Sequence, residues 1–244
     1  MGKAAFSMFA CDSAAEEIQR IYGLKEKPVV VRNIPNYWHI DENECRSKRS
    51  ELCRMMDVPD NTFIAIYHGL ISNGRGIENI IESIAMTTNT ALIILGFGDK
   101  GYIDELKKIC REQNVDQRVL FLEAVPLEVL YKYLGAADVG MITIPAVTKS
   151  YYYMLPNKFF ENIQSLTPVI CSAFPEVSRI VNHYDIGLLV DPENTDEIAR
   201  AIMKLQNDNE LYKRLKDNLK QAKEDLCWEN EQEVLKNAYS KILQ

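Results

Sequence analysis

The sequence predicts an α/β protein built on an open parallel sheet with helices on both faces. Three observations carry this. Seven short segments rich in Val, Ile and Leu recur along the chain, at 28–32, 62–68, 91–96, 118–123, 138–144, 168–171 and 186–190. Each is apolar on both sides, as expected of strands covered from above and below. Helix-period segments separate them, so the chain reads as successive strand–helix–strand units. Ligands of such sheets bind beyond the carboxyl ends of the strands.

The first stretch, AAFSMFACDSAAEEIQRIYGL, reads as a strand, an N-cap at Asp12 or Ser13, and an amphipathic helix. This unit has no sheet of its own, and the loop RNIPNYWHIDEN joins it to the rest. The expected division is therefore 1–26, a remnant of a preceding domain, and 27–244, the main domain. Phe6, Met8, Phe9, Ile18 and Ile21 are left either to pack back on that domain or to pair two copies into a homodimer.

In the main domain, strand 62–68 runs into the glycine-rich loop His68–Gly76. A helix follows with Ile77, Ile80, Ile81 and Ile84 on one face. Strand 91–96 leads to Gly96-Phe97-Gly98, read as a tight turn, and a helix carrying Ile103, Leu106, Ile109 and Cys110. Further helices are expected at 127–135, 157–165, 174–182, 195–206, 209–225 and 229–243.

Composition narrows the function classes. The chain has 244 residues and a formal charge of −7. That balance argues against nucleic acid, or an anionic membrane, as a partner held by bulk charge. Six cysteines fit no zinc spacing, and none forms a C-x-x-C pair. Buried thiols in a reducing cytoplasm are expected. No basic-then-apolar leader is visible, and no apolar run approaches the roughly 20 residues that span a bilayer.

Several places can hold chemistry. Glycines in the 68–76 loop let backbone approach a phosphate, the following helix offers free N–H groups, and Arg75 adds a forked donor. An ordinary loop with a solvated arginine fits the same residues. Gly96-Phe97-Gly98 lacks the third glycine of a dinucleotide fingerprint, so no NAD is inferred. Glu161 lies opposite the apolar face made by Phe159, Phe160, Ile163 and Leu166. It is either a solvated glutamate paired with Lys158, or a carboxylate facing the crevice, where it can accept two hydrogen bonds from a ribose diol. Tyr151, Tyr152 and Tyr153 occupy a loop and cannot all pack inward. His68 ends a strand beside the glycine loop, with no partner visible in the sequence, and reads as a structural histidine.

Taken together, these motifs resemble the C-terminal half of a GT-B-fold retaining glycosyltransferase, a Rossmann-like domain of the large E-x7-E family. The resemblance covers roughly residues 5–243. VVVRNIP is similar to the interdomain linker and YHGLISNGRG to the first strand, loop and helix of the donor domain. LIILGFGD and RVLFLEAVPLEVLYKYLGAADVGMIT resemble the next two units, LPNKFFENIQSLTPVIC the E-x7-E region, and IGLLVDPENTDEIARAI with CWENEQEVLKNAYSKIL the close of the domain.

The resemblance implies a role for each candidate residue. Arg75, with Gly69 and Gly74, holds and stabilises the donor diphosphate, which makes Arg75 the catalytic residue. Glu161 holds the ribose, and Glu123, Ala124 and Val125 face the base. Gly96, Gly98 and Lys158 complete the donor site, and Tyr153, Met154 and Leu155 approach the diphosphate and sugar. By the same resemblance the donor is a UDP-sugar ahead of a GDP- or ADP-sugar, with no further cofactor and no obligatory metal. A glycan or lipid-linked acceptor binds through the absent N-terminal domain, at the cytoplasmic side of a membrane or free in the cytoplasm. The fragment alone is expected to be inactive. Two departures stand out. Leu70 replaces the usual arginine after the first glycine, and Tyr153 stands where the first Glu of E-x7-E belongs. They keep two alternatives open, a non-catalytic nucleotide-sugar-binding module and a nucleotide-sugar 2-epimerase-like enzyme.

Overall fold

The computed structural model describes residues 4–241. Six parallel strands form the main sheet: β3 (Phe63–Ile71), β4 (Thr90–Gly98), β5 (Val119–Glu123), β6 (Val139–Ile142), β7 (Val169–Ser172) and β8 (Gly187–Val190). Their order is β5-β4-β3-β6-β7-β8. The chain therefore winds outward from β3 through β4 to β5. It then returns past β3 and winds the other way. Between β3 and β6 the direction of winding reverses, and ligands of open α/β sheets bind at that reversal.

Alternation along the strands sets the two faces. Phe63, Ala65 and Tyr67 of β3, with Leu92 and Ile94 of β4, pack on α3 (Ile77–Ala85), α4 (Lys100–Glu112) and α9 (Thr195–Asn207). Ile64 and Ile66, with Ala91, Ile93 and Leu95, pack on α2 (Glu42–Met56) and α5 (Leu127–Ala136). The sheet is thus covered twice, as the apolar strands require. A third cluster joins β7 to α7 (Asn157–Gln164), α8 (Pro175–Tyr184) and the end of α10 (Asn209–Asp225).

Helix α2 is absent from the sequence-based expectation, which leaves 42–56 unassigned. Its apolar stripe is thin: Cys45, Leu52, Cys53 and Met56 are its buried residues, among seven charged ones. Asp41 caps it by accepting from the Asn43 and Glu44 amides. Packing on α5 stabilises the helix more than its own sequence does.

The first unit differs from expectation in two ways. Strand β1 (Met8–Phe9) is not sheetless: it pairs in parallel with β2 (Val29–Val30), across the expected boundary at 26. Helix α1 (Asp12–Tyr22) is not capped by its own Asp12 or Ser13. Buried Glu176 of α8 accepts from the Asp12 amide (3.2 Å) and the Ser13 amide (2.8 Å) instead. The unit packs back through Cys11 and Ala15, while Met8 and Ile21 stay exposed.

Helix α11 (Trp228–Ser240) closes the chain and returns to the linker. The last residues of the expected helix, 242 and 243, lie outside the described residues. Buried Glu231 accepts from the Arg32 amide (2.6 Å) and Nε (2.9 Å), and the Trp228 amide donates to the Pro35 carbonyl. No described helix is long and apolar enough to cross a membrane.

Candidate functional site

The reversal point brings the ends of β3 and β6 together. Strand β3 runs to Ile71, further than the sequence indicates, so His68, Gly69 and Leu70 belong to the sheet rather than to the loop. The loop proper is Ser72–Gly76. Gly76 sits at φ 72°, and a Cβ there would lie 2.2 Å from the Thr143 carbonyl that follows β6. A glycine is required at this contact, so the two strand-end loops lock against each other. Beyond β6 comes a short helix, α6 (Lys149–Tyr152), where a loop is expected, and then α7.

Four side chains converge here from β3, its loop and α7. Buried His68 places Nε2 2.7 Å from Glu161 Oε2. Burial pushes the imidazole below its ordinary 6.5, outweighing the pull of Glu161. The ring is therefore neutral at pH 7 and donates Nε2–H to the carboxylate. Among the described residues no donor reaches Glu161 Oε1. Glu161 is thus not paired with Lys158: His68 holds Oε2, and the side chain stays partly exposed.

Lys158 lies under Gly69 and buries its amine. Its Nζ is 3.7 Å from the centre of the Tyr67 ring and has no hydrogen-bond partner. Burial first, then the nearby Arg75 charge, lowers its pKa to about 7. Arg75 stacks over Tyr151 at 5.1 Å, with a buried Nε that also lacks a partner. Arg75 is thus half-buried rather than fully exposed. The Thr143 hydroxyl is unpartnered as well. Native proteins satisfy nearly all such groups. Here three of them gather at the sheet's ligand end.

The remaining candidates line two flanking clefts. Gly96, Gly98 and Glu123 border one of about 380 Å³ at the ends of β4 and β5, with Lys100 and Lys107 on its rim. Gly96 and Gly98 are not in a turn: both belong to β4, and a Cβ at either would strike β3 carbonyls at 1.8 and 2.0 Å. Close strand packing therefore accounts for the two glycines. Ala124 is exposed, and Val125 packs on the apolar cluster under α5. A Cβ on Gly74 would lie 3.9 Å from a Val147 methyl.

Tyr153, Met154 and Leu155 line the second cleft, of about 490 Å³, with Cys11, Ala14 and Ile18 of the first unit opposite. The Cys11 thiol donates to the Tyr153 carbonyl across it at 3.1 Å. The three tyrosines diverge, as their succession requires. Tyr151 lies under Arg75, Tyr152 meets Phe174, and Tyr153 turns to the cleft.

Two features of the candidate site escape a linear reading. The His68–Glu161 pair joins residues 93 positions apart, and no local spacing announces it. The unpartnered lysine had a faint signal: Lys158 and Asn162, four residues apart, are both buried on a helix that periodicity makes only half apolar.

A six-stranded parallel sheet with cationic and carboxylate groups at its winding reversal defines the C-terminal, Rossmann-like domain of a GT-B glycosyltransferase fold. The chain matches the family model described as glycosyl transferases group 1 over residues 52–222, and it belongs to that family. An uncharacterized glycosyltransferase of Methanocaldococcus jannaschii is 28% identical over 232 residues, covering 93% of this chain and 57% of that protein. The alpha-D-kanosaminyltransferase of Streptomyces kanamyceticus is 24% identical, covering 88% of this chain and 55% of its own length. The chain thus spans about half the length of the curated relatives it matches. Among solved structures, Anabaena HepE in complex with UDP superposes with a TM-score of 0.80 at 19% identity, over 97% of this chain and 64% of the other. The sucrose-phosphate synthase of Thermosynechococcus elongatus gives 0.81 at 22% identity, over 99% and 59%.

Proposed function

We propose that this chain binds the donor of a retaining glycosyltransferase. In the whole protein a sugar would pass from a nucleoside diphosphate to a glycan or lipid-linked acceptor. One observation carries the reading: unpartnered Arg75 Nε and Lys158 Nζ stand beside a half-free carboxylate, Glu161, at the winding reversal. Buried donors without acceptors are costly, and a diphosphate supplies the missing oxygens.

Each residue then has a role. Arg75 binds the diphosphate and stabilises the charge that builds on it as the glycosidic bond breaks. Glu161 Oε1 accepts from the ribose hydroxyls while His68 holds Oε2. The base lies toward Glu123 and Ala124, beside the Gly96–Gly98 cleft, and the sugar toward Tyr153–Leu155. UDP is the first ligand to test, because Anabaena HepE is known in complex with UDP and with UDP-glucose. Leu70 and Tyr153 favour a second reading, a module on the same fold that binds nucleotide sugar without transferring it. Leu70 is 40% exposed where the family places an arginine.

Calorimetric titration of the 244-residue chain with UDP, GDP and ADP tests the proposal. One nucleotide should bind, and Arg75→Ala and Glu161→Ala should each weaken it tenfold or more, from about 1.5–3 kcal/mol per charge-assisted bond. Binding that neither change affects would overturn the site. Turnover by the parent protein separates transferase from binding module.

A further inference from the structure

Resting on that donor-site reading, we infer that Lys158 is the second cation of the diphosphate site and takes over the role that Leu70 vacates. Leu70 is aliphatic, so β3 and its loop present one cation, Arg75, where a diphosphate carries at least two charges. Lys158 reaches the same place from α7. A Cβ built on Gly69 would lie 3.6 Å from Lys158 Cε and 3.7 Å from Nζ. Glycine stands at that position with φ 106°, so the backbone covering the amine carries no side chain. A phosphate brought against Gly69 therefore meets the amine directly.

The groups facing Nζ are few and come from every neighbouring element. Tyr67 and His68 belong to β3, Arg75 to its loop, where it stacks on Tyr151 of α6, and Glu161 to the same helix as the lysine. Glu161 is the one carboxylate among them, and His68 engages it. The amine has no acceptor within reach. Its pKa near 7 leaves much of the free chain with a neutral lysine above neutrality. Two phosphate charges favour the ammonium. Binding above pH 7 therefore takes one proton from solvent, and that proton stays on Nζ while the diphosphate is bound. The same site gains one positive charge as it fills.

The test is calorimetry of the full chain with UDP at pH 7.5 and 8.5, each in two buffers of different ionisation enthalpy. The terminal phosphate, with a pKa of about 6, is largely ionised throughout this window. Wild type should take up most of a proton at pH 8.5, and its affinity should fall severalfold, up to about tenfold, from pH 7.5 to 8.5. A His68→Gln variant should retain the uptake, which assigns it away from the imidazole. Lys158→Met should bind UDP tenfold or more weakly at pH 7.5, with no uptake and no slope. Lys158→Arg keeps the charge, so it should lose the uptake and the slope while holding more affinity than the Met variant. Uptake absent from wild type, or unchanged in either Lys158 variant, overturns the inference. If UDP binding depends on Arg75 and Glu161 but not on Lys158, the donor site stands and this inference falls. If no nucleotide binds at all, the donor-site reading fails first.

Discussion

On the role inferred for Lys158, stability and binding conflict. Its folded-state pKa of about 7 lies below the ordinary 10.5. Below pH 7 both folded and unfolded chains hold the proton, and the full cost of burying the charge is present. Between pH 7 and 10.5 the unfolded chain holds the proton while the folded one has released it, so the cost of burying this group falls as pH rises, until the unfolded lysine also titrates. In ΔG of unfolding the unfolded state binds more protons across this window, so stability from this group rises with pH there. Lys158→Met should therefore stabilise the free chain by about 1–4 kcal/mol at pH 7, the range seen when buried charges give way to apolar groups. The gain should shrink by pH 9.5. Urea unfolding at both pH values checks this, and an unchanged midpoint at pH 7 would contradict the burial argument. His68 acts at the other end of the scale. Its folded pKa lies below 6.5, so the unfolded chain takes the proton first as pH falls. The stability that the neutral ring contributes is complete above pH 6.5 and is lost progressively below it. His68→Gln keeps a donor toward Glu161 but cannot titrate, so the acid loss between pH 6.5 and 5 should be smaller in the variant. Equal slopes in wild type and variant would place the acid sensitivity elsewhere.

At the scale of elements, loops and caps decide what the strands alone do not. Gly76 joins the ends of β3 and β6 through a left-handed φ of 72° and a backbone contact. Gly76→Ala adds a Cβ where the Thr143 carbonyl already lies, so it should cost at least about 1–3 kcal/mol and displace Arg75 with the loop. Urea unfolding reads the first effect and nucleotide affinity the second. Helix α1 is held by a different device, the buried Glu176 carboxylate at its N-terminus. Glu176→Ala should raise amide hydrogen exchange across Asp12–Tyr22 while the β3–β4 core keeps its protection, because the two regions share few buried apolar contacts. Slow exchange in α1 of that variant would assign its docking to Ala15 and Cys11 instead.

These elements also show what was legible in the sequence. Strands β3 to β8 announce themselves because burial on both faces forces continuous Val, Ile and Leu. Helices α3 and α9 announce themselves through a clean apolar stripe. Helix α2 hides because seven charges surround four buried residues, and α6 because one turn of helix carries no period. At the site, Arg75 and Glu161 were legible as residue types beside a glycine loop and a half-apolar helix. Their surroundings were not, since the His68–Glu161 bond and the Lys158 burial arise only when β3 and α7 meet. The cap on α1 was misplaced for the same reason: it comes from Glu176, 163 residues away from Ser13.

For the whole molecule, long-range ties join the linker to the end of the chain. Buried Gln164 donates to the Lys223 and Leu226 carbonyls and accepts from the Trp38 amide. Arg32 meets buried Glu231, and the Trp228 amide meets Pro35. Helix α7, which carries Lys158 and Glu161, is thus tied to the linker and to α10, while the linker is tied to α11. A ligand seated on α7 should therefore stabilise the molecule as one cooperative body rather than the loop it touches. Binding to the folded state alone at a hundredfold excess over Kd contributes about 2.7 kcal/mol. For a chain of this length that amounts to roughly a 5–10 °C rise in Tm. Calorimetric melting with and without UDP should show one transition moving by about that amount. Arg75→Ala, which binds tenfold or more weakly, should cut the shift by about half or more at the same UDP concentration, while leaving the unliganded Tm nearly in place, since Arg75 Nε has no protein acceptor to lose. Two transitions, with only the upper one moved by UDP, would mean that the first unit and α11 melt apart from the six-stranded sheet. The ties through Gln164 and Glu231 would then be too weak to carry the coupling assigned to them.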